Sequence, residues 1–195
     1  MFKFYDIDKN YVNFLKSFEE KIPNISYEKR DKFMCGVVLK INNFDYFAPV
    51  SSFKKQQRTN FLIKNSKNKE VGSIRLSFMF PVPKELAIIK DFKKEELNYR
   101  RLLNEELSYC NNHSSKIYRK AEFIYNSVCD KTNDIMVKNC CDFKLLEKKS
   151  FQYCKEHNLK LPLSPVQIKN PVQDFCKAFS EINNFLENNE FDLNK

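Results

Sequence analysis

Glycine is scarce in this sequence, and its scarcity excludes one class of phosphate-binding site. The 195 residues include only two glycines, Gly36 and Gly72. They are far apart, so the sequence has no glycine-rich loop of the kind that wraps a nucleoside phosphate. No G-x-S-x-G motif is present either, so a serine–histidine–aspartate hydrolase has no support. A low glycine content also favours regular helices and strands over loops.

Long apolar runs are absent as well. No uninterrupted stretch of about 18 apolar residues occurs, which excludes a membrane-spanning helix. The opening MFKFYDIDKN is charged and lacks the apolar region of a secretory signal, so a cytoplasmic protein is expected. In that compartment the cysteines should be reduced thiols rather than a disulfide framework. They are seven in number and scattered: Cys35, Cys110, Cys129, Cys140, Cys141, Cys154 and Cys176.

Metal-ligand patterns are weak. The acidic residues occur as the pairs Glu19-Glu20, Glu95-Glu96 and Glu105-Glu106. These pairs lie in charged helical stretches, where solvent-exposed faces are expected. Cys154 and His157 have a C-x-x-H spacing, but no second spaced pair completes a zinc site. His113 and His157 lie at predicted helix ends or loops, where surface roles are expected. The sequence therefore predicts no metal and no cofactor, and a metal-dependent nuclease stays as an alternative.

Positive charge is in excess. Lysine and arginine number 34 against 25 acidic residues, which gives a net charge of +9 and a pI near 9.1. Such an excess favours a polyanionic partner, and nucleic acid is a commoner one than acidic protein or lipid. A lysine- and asparagine-rich genome would produce the same charge. A structural or adaptor protein therefore remains an alternative.

Strand patterns come first along the chain, and helix patterns follow. The predicted elements are a strand at Phe2–Tyr5, a helix from Asp8 to about Lys21, a hairpin of Phe33–Ile41 and Phe44–Val50 around Asn42-Asn43, strands at Ile74–Phe80 and Leu86–Ile89, and helices at Leu97–Cys110, Ile117–Val128, Phe143–Cys154 and Val172–Leu186. The polar segment Gln56–Glu70 is predicted as an exposed loop. This order predicts an α+β fold, with helices packed against an antiparallel sheet. No linker interrupts the chain before about residue 160. A single domain over 1–160 is expected, followed by an extension over 161–195 that is packed or partly disordered.

The hairpin ends in a cluster of hydroxyl and ammonium groups. The stretch KFMCGVVLKINNFDYFAPVSSFKK ends with Ser51, Ser52, Lys54 and Lys55. RNA carries its own nucleophile, the 2′-OH, so its cleavage requires neither a metal nor a nucleophile from the protein. Clustered lysines lower one another's pKa and can then transfer protons, while others stabilise the phosphorane. An ordinary polar turn after a strand is the alternative interpretation.

The same segments resemble the ToxN/AbiQ family, the protein toxins of type III toxin–antitoxin systems. The resemblance is carried by FKFYDIDKNYVNFLKSFEEKIP, by the hairpin and its Ala-Pro-x-Ser-Ser end, by VGSIRLSFMFPVP, and by the helical stretches NYRRLLNEELSYCNNHSSKIYRKAEFIYN and CDFKLLEKKSFQY. It covers about residues 2–155. It implies a twisted antiparallel, barrel-like core similar to the MazF/Kid-like toxins, with helices around it.

The resemblance also implies an activity and partners. The activity is that of a metal-independent endoribonuclease that leaves a 2′,3′-cyclic phosphate and a 5′-OH, acts in phage defence and tends to cut adenine-rich targets. The antitoxin is a small pseudoknot RNA, cut by the toxin from tandem repeats and bound in a cyclic protein–RNA assembly. Cellular or phage mRNA is the implied substrate, and DNA is not expected.

The resemblance also implies which residues form the site, from their positions in the matching segments. By this resemblance, site residues of the family match Lys32, Ser51, Ser52, Lys54 and Tyr11. Ser52 is expected to position the 2′-OH or the phosphate, Lys32 and Lys54 to share proton transfer and phosphorane stabilisation, and Tyr11 to stack on a base or bind phosphate. Phe53 departs from the family, which commonly has proline there, so the turn should be less rigid or offer a stacking face.

RNA binding is expected to be broad, because a pseudoknot presents many phosphates and some unpaired bases. The candidate contacts are Lys55, Arg58, Lys64, Lys67, Arg100, Arg101, Lys116, Arg119 and Lys120. The main alternative is a basic nucleic-acid-binding regulator without catalysis. It would share the charge but would not require the serine pair beside a lysine.

Overall fold

An antiparallel sheet with helices packed against it forms the fold. The structure is a computed structural model that describes residues 1–27 and 31–162. The strands are β1 (Lys3–Ile7), β2 (Met34–Ile41), β3 (Phe44–Ser51), β4 (Asn60–Lys64), β5 (Glu70–Arg75), β6 (Phe80–Pro81) and β7 (Ala87–Ile89). The helices are α1 (Lys9–Lys16), α2 (Leu97–Asn112), α3 (Ser114–Cys129), α4 (Asp134–Asn139) and α5 (Phe143–Glu156). The predicted α+β class is confirmed.

The sheet is open rather than closed. Its strand order is β4-β5-β3-β2-β1-β7, and β6 pairs with β3 beside this path. In the described part of the chain the two end strands, β4 and β7, do not pair with each other. The predicted barrel-like closure is therefore not seen, because the hydrogen-bonding edges at the two ends stay separate.

The β2–β3 hairpin forms as predicted. Asn42 and Asn43 have φ angles of 50° and 62°, so both turn residues adopt the left-handed conformation that a two-residue hairpin turn favours. The register pairs Ile41 with Phe44. Further along, Gly36 lies opposite Phe47, and a Cβ on Gly36 would lie only 2.1 Å from the Phe47 ring. The glycine therefore leaves the space that the Phe47 ring occupies.

The first helix begins as predicted but is shorter. Asp8 Oδ1 accepts a hydrogen bond from the Tyr11 amide at 2.9 Å, which caps the N-terminus. The helix ends at Lys16 rather than near Lys21. Its last turn is tightened by bonds from the Ser17 amide to two carbonyls, and the chain then turns so that Ile22 is fully buried.

Between residues 56 and 80 one loop prediction is wrong and one strand prediction is too long. The predicted loop Gln56–Glu70 contains β4, because β5 pairs along it and buries Ile63 completely. The predicted strand Ile74–Phe80 ends at Arg75, and a short 3-10 turn follows. Ser77 in that turn is bound on both sides, since its amide donates to Thr59 O and its carbonyl accepts from the Cys141 amide. These long-range bonds replace the sheet pairing that the alternating pattern predicted.

Buried carboxylates join the helices to one another and to the sheet. Glu19 was expected on a solvated face, and that prediction is wrong: the residue is 7% exposed and accepts hydrogen bonds from the amides of Lys21 and Asp142. Glu147 on α5 accepts from the hydroxyls of Tyr46 at 3.0 Å and Tyr125 at 2.6 Å. Each carboxylate thus replaces lost hydration with hydrogen bonds from a different element.

The remaining helices lie close to their predicted positions, and α4 is an addition that the sequence patterns did not predict. The six described cysteines, all but Cys176, are free. In the described residues, no helix combines the length and hydropathy that a membrane crossing requires. The predicted helix Val172–Leu186, Cys176 and most of the predicted extension lie outside the described residues.

Replacing Gly36 with alanine should destabilise the protein by about 1–3 kcal/mol, because the added methyl group would overlap the buried Phe47 ring. Urea denaturation measures the free energy of unfolding. The double variant Gly36→Ala with Phe47→Leu should lose less than the sum of the single variants, since the smaller side chain vacates the contact. Strict additivity would show that the two positions do not compete for space.

Candidate active site

A cleft of about 320 Å³ opens at the end of β3. Lys32 and the pair Ser51 and Ser52 belong to one side, next to the central strands. Helix α2 supplies the other side. The lining residues are Tyr27, Asp31, Lys32, Phe33, Val50, Ser51, Ser52, Val71, Tyr99, Leu102 and Glu106. Three of the five predicted catalytic residues therefore share one cavity.

The serine pair is held by the pairing of β3 with β5. Ser51, the last residue of β3, lies opposite Ser73. Ser51 Oγ accepts a hydrogen bond from the Phe53 amide at 3.3 Å, and Ser73 Oγ donates to Phe53 O at 2.7 Å. These bonds turn the chain away from the sheet immediately after Ser52. Ser52 is left exposed at the mouth of the cleft.

The other end of this turn is held by Asn60. Its side chain is fully buried, donates to Lys55 O at 2.9 Å and accepts from the Gln57 amide at 2.9 Å. Lys120 on α3 donates to Asn60 O at 2.6 Å. The turn between the serines and β4 is thus bonded to the sheet and to a helix at its base.

Phe53 packs on an arginine side chain at the turn after Ser52. The guanidinium carbon of Arg75 lies 4.6 Å from the Phe53 ring centroid and 5.0 Å from that of Phe78. Arg75 also donates to Gln57 Oε1 at 3.3 Å, and burial lowers the pKa of its guanidinium. A cation–π stack therefore supports the turn, and the Phe53 ring face is occupied by Arg75.

Lys32 is the lysine that the fold brings into the cleft. It is half-buried, and its Nζ lies 5.3 Å from the centroid of the Tyr27 ring. Burial lowers the pKa of Lys32, and the positive charge of Arg75 lowers it further. The neighbouring charge is thus an arginine and not a second lysine, as the clustered-lysine prediction required. Lys54 and Lys55 are exposed on the turn and do not line the cleft.

Glu106 is a cleft residue that the sequence interpretation missed. The pair Glu105-Glu106 was predicted on a solvated face, but Glu106 is only 5% exposed. Burial raises the pKa of its carboxyl from 4.5 to about 7. In the described part of the protein no side chain or backbone group forms a hydrogen bond or an ion pair with it. A carboxyl group that lies in a cleft and has a pKa near 7 is typical of a functional site.

The close approach of α2 to the sheet depends on Gly72. A Cβ there would lie 2.7 Å from Ser51 O and 3.1 Å from Glu106 Oε1. The glycine therefore lets the carboxyl group and the end of β3 lie next to each other. A sequence signal for Glu106 existed: it lies three residues after Leu103 and four before Cys110, both fully buried, so it belongs to the apolar stripe of α2.

Tyr11 does not reach the cleft, contrary to its predicted contact with RNA. Its side chain is fully buried in the core. Its hydroxyl donates to Pro81 O at 2.6 Å and lies 2.9 Å from Ser150 Oγ. The ring packs on Tyr153. With no face of the ring accessible, Tyr11 connects α1 to the sheet and α5.

The predicted RNA-binding residues fall into two groups. Arg100 donates to the carbonyls of Phe92, Lys93 and Glu95, and Lys120 is bonded to Asn60 O, so both stabilise the fold. Lys64 pairs with Glu70 at 3.5 Å. Lys55, Arg58, Lys67, Arg101, Lys116 and Arg119 are exposed. The structure thus supports exposed positive charge at six of the predicted positions.

The histidines lie apart from the cleft. His113 and His157 follow the last residues of α2 and α5, and each Nδ1 is within 3.0 Å of a carbonyl in the preceding turn. Each ring stacks on the tyrosine four residues before it. Over the described ranges, no cluster of three histidine, cysteine or acidic side chains has a metal-binding arrangement.

An open antiparallel sheet, a helical half and a lysine–serine cleft define a small basic α+β protein. The family model "Toxin ToxN, type III toxin-antitoxin system" matches residues 3–150. The chain therefore belongs to the ToxN toxin family, as its sequence motifs predicted.

Characterised relatives agree with this assignment. The chain is 31% identical to the endoribonuclease AbiQ of Lactococcus lactis subsp. lactis, over 79% of this chain and 90% of AbiQ. It is 30% identical to the endoribonuclease ToxN of Pectobacterium atrosepticum, over 79% of this chain and 95% of that protein.

Solved structures share the fold. The structure of AbiQ, an anti-phage endoribonuclease of a type III system, superposes with a TM-score of 0.72 at 30% identity and covers 80% of this chain and 99% of AbiQ. A bacterial antiviral system regulated by a processed non-coding RNA has a chain with a TM-score of 0.69 at 29% identity, covering 76% of this chain and 96% of its own.

Replacing Tyr11 with phenylalanine should lower the free energy of unfolding by about 1–3 kcal/mol, because Pro81 O and Ser150 Oγ lose a buried partner. RNA cleavage by the folded variant should stay within about two-fold of the unchanged protein. Tyr118→Phe, at a partly exposed tyrosine, is the matched control. A large loss of activity without loss of stability would return Tyr11 to the site.

Replacing Glu106 with glutamine should stabilise the protein at high pH only. Folding raises the pKa of this carboxyl from 4.5 to about 7. The contribution of the protonated carboxyl to the free energy of unfolding is therefore fully present below pH 4.5 and is lost as the pH rises through 7. The variant should therefore gain up to roughly 3 kcal/mol at pH 8.5 and little at pH 4. Urea denaturation at both pH values measures this, and Glu105→Gln should show no such gain.

Proposed function

We propose that this protein is a metal-independent endoribonuclease toxin that cuts RNA by transesterification. The 2′-OH would attack the adjacent phosphorus, and the P–O5′ bond would break to leave a 2′,3′-cyclic phosphate and a 5′-OH. The observation that carries the proposal is the half-buried Lys32 in the same cleft as Ser51 and Ser52. Homology to AbiQ and ToxN, both endoribonucleases, supports the reaction class.

The two lysines suit different tasks in this reaction. Lys32 is partly desolvated and its pKa is lowered, so it is the better proton donor to the departing O5′. Lys54 is exposed two residues after Ser52, where an ammonium group can stabilise the charge of the phosphorane. Ser52 at the cleft mouth would position the 2′-OH or the phosphate. Ser51 would act mainly through the turn, because its Oγ already accepts the Phe53 amide.

A small RNA antitoxin is the proposed inhibitor, and phage defence is the proposed biological role. One relative of similar fold belongs to an antiviral system regulated by a processed non-coding RNA, and AbiQ is an anti-phage enzyme. The form proposed here is a repeat-derived pseudoknot bound in a cyclic protein–RNA assembly, with cellular or phage mRNA as the substrate. The exposed basic side chains supply phosphate contacts for both RNAs.

Cleavage of a long mRNA in excess EDTA tests the reaction. Discrete fragments ending in 2′,3′-cyclic phosphate and 5′-OH are expected. Ser52→Ala and Lys32→Met should each reduce the rate at least about a hundred-fold, because positioning and proton transfer typically contribute factors of that order. Ser66→Ala, at an exposed serine between β4 and β5, is the matched control and should cut normally.

A substrate whose scissile O5′ is replaced by sulfur distinguishes the roles of the two lysines, because a thiolate leaves without protonation. Lys32→Met should recover most of its rate on this substrate, and Lys54→Met should not. Equal recovery by both variants would contradict the assignment of the proton to Lys32.

The non-catalytic regulator makes different predictions. It would bind RNA in a salt-dependent way, would leave the RNA intact with EDTA or with Mg²⁺, and would be unaffected by Ser52→Ala. Cleavage that requires Mg²⁺ would instead favour a metal-dependent nuclease and would contradict the mechanism proposed here.

A further inference from the structure

One face of α2 forms the wall of the cleft opposite the serines. Tyr99, Leu102 and Glu106 all line the cavity. Their spacing of three and four residues aligns them along a single stripe of the helix. The helix therefore presents an aromatic ring, an apolar side chain and a carboxyl group in succession to whatever occupies the cleft.

We propose that this wall is a nucleobase pocket and that Glu106 is the residue that reads the edge of the base. The proposal rests on the proposed function only in supposing that RNA enters the cleft; base recognition itself is separable from cleavage. The ligand class is a purine nucleotide whose phosphate lies toward Lys32 and Ser52.

The chemistry of the lining suits a flat heterocycle. Apart from the lysine, the serines and two carboxyl groups, the cavity is bounded by aromatic and aliphatic side chains, which stack on the face of any base. Its volume of about 320 Å³ lies at the lower end of the range of small-ligand sites, ~300–1,000 Å³. A base with its sugar is of this size class.

Glu106 has the features of a group kept for a ligand. It is 5% exposed, yet nothing in the described protein bonds to it. The other buried carboxylates, on α5 and after α1, accept hydrogen bonds from the protein, whereas the carboxyl of Glu106 faces the cavity and is left to bond whatever enters it. Donors on a base edge would supply the missing partners.

The protonation state of Glu106 determines which edge fits. A neutral carboxyl has one donor and one acceptor and complements the N1 and N6–H₂ groups of adenine. An ionised carboxylate has two acceptors and complements the N1–H and N2–H₂ groups of guanine. Because the pKa of this carboxyl is about 7, the preference should shift from adenine toward guanine as the pH rises from 6 to 8.

Other titratable groups line the same cleft. Tyr27, Asp31, Lys32 and Tyr99 line the cleft with Glu106. Asp31 is paired with Lys9 at 2.7 Å, which lowers the pKa of Asp31 and keeps it ionised over this pH range. On β4 and β5, the strands next to α2, the charged side chains are Lys64 and Glu70, which pair with each other, and Arg75 at the end of β5. The variants below separate Glu106 from all of these groups.

Calorimetric binding of adenosine and guanosine 2′,3′-cyclic phosphates at pH 6 and pH 8 tests the pocket. Their phosphodiester group does not titrate in this range. The ratio of guanine to adenine affinity should rise up to about a hundred-fold between the two pH values, since for a pKa of about 7 the ratio of ionised to neutral carboxyl rises from about 0.1 to about 10.

Glu106→Gln should abolish that change and keep the adenine preference at both pH values, because the amide always has a donor and an acceptor. Glu105→Gln is the matched control on the same helix and should behave like the unchanged protein. Tyr99→Leu should weaken binding of both nucleotides and leave the pH dependence intact.

Three results would overturn the proposal. One is no binding of either nucleotide at millimolar concentration, and another is unchanged discrimination in Glu106→Gln. The third is loss of cleavage at every sequence in Glu106→Gln with base discrimination kept, which would make Glu106 a proton-transfer group instead. A protein that discriminates bases in this pH-dependent way but does not cut RNA would contradict the proposed function and support the pocket.

Discussion

The pairing of β3 on both of its edges is the constraint on which the candidate site depends. β3 pairs with β2 along its length, with β6 at Tyr46, and with β5 at Val50 and Ser51. A slip of one residue would exchange the buried and exposed faces of the strand. Because the register is held from two sides, the serine pair emerges at a defined point, beside Lys32 and opposite α2.

Three buried glutamates show how one residue type serves different purposes in this fold. Glu19 accepts two backbone amides, and Glu147 accepts the hydroxyls of two tyrosines. Both are fully occupied as connectors between elements. Glu106 has the same degree of burial but faces a cavity, and the cost of burial appears instead as a raised pKa. This contrast distinguishes a structural carboxylate from a candidate ligand-binding one.

Prediction from the sequence succeeded where the signal was local. The Asn42-Asn43 turn has a strong conformational preference, the Asp8 cap needs only the next three residues, and the helices of the second half have a clear period. It failed where partners distant in sequence decided the outcome. β4 forms because β5 pairs with it, and Ser77 leaves the strand pattern because Thr59 and Cys141 bond to its backbone.

The sequence by itself determined the α+β class, the hairpin, the family and the lysine–serine cluster that ends the hairpin. Only the tertiary structure decided which of those groups meet. Tyr11 is in the core because α5 and the segment after β5 close over it, whereas Lys32 and Glu106 reach one cleft although 74 positions separate their numbers. The physical reason is that the burial and the pKa of a group depend on what surrounds it in space and not on its neighbours along the chain.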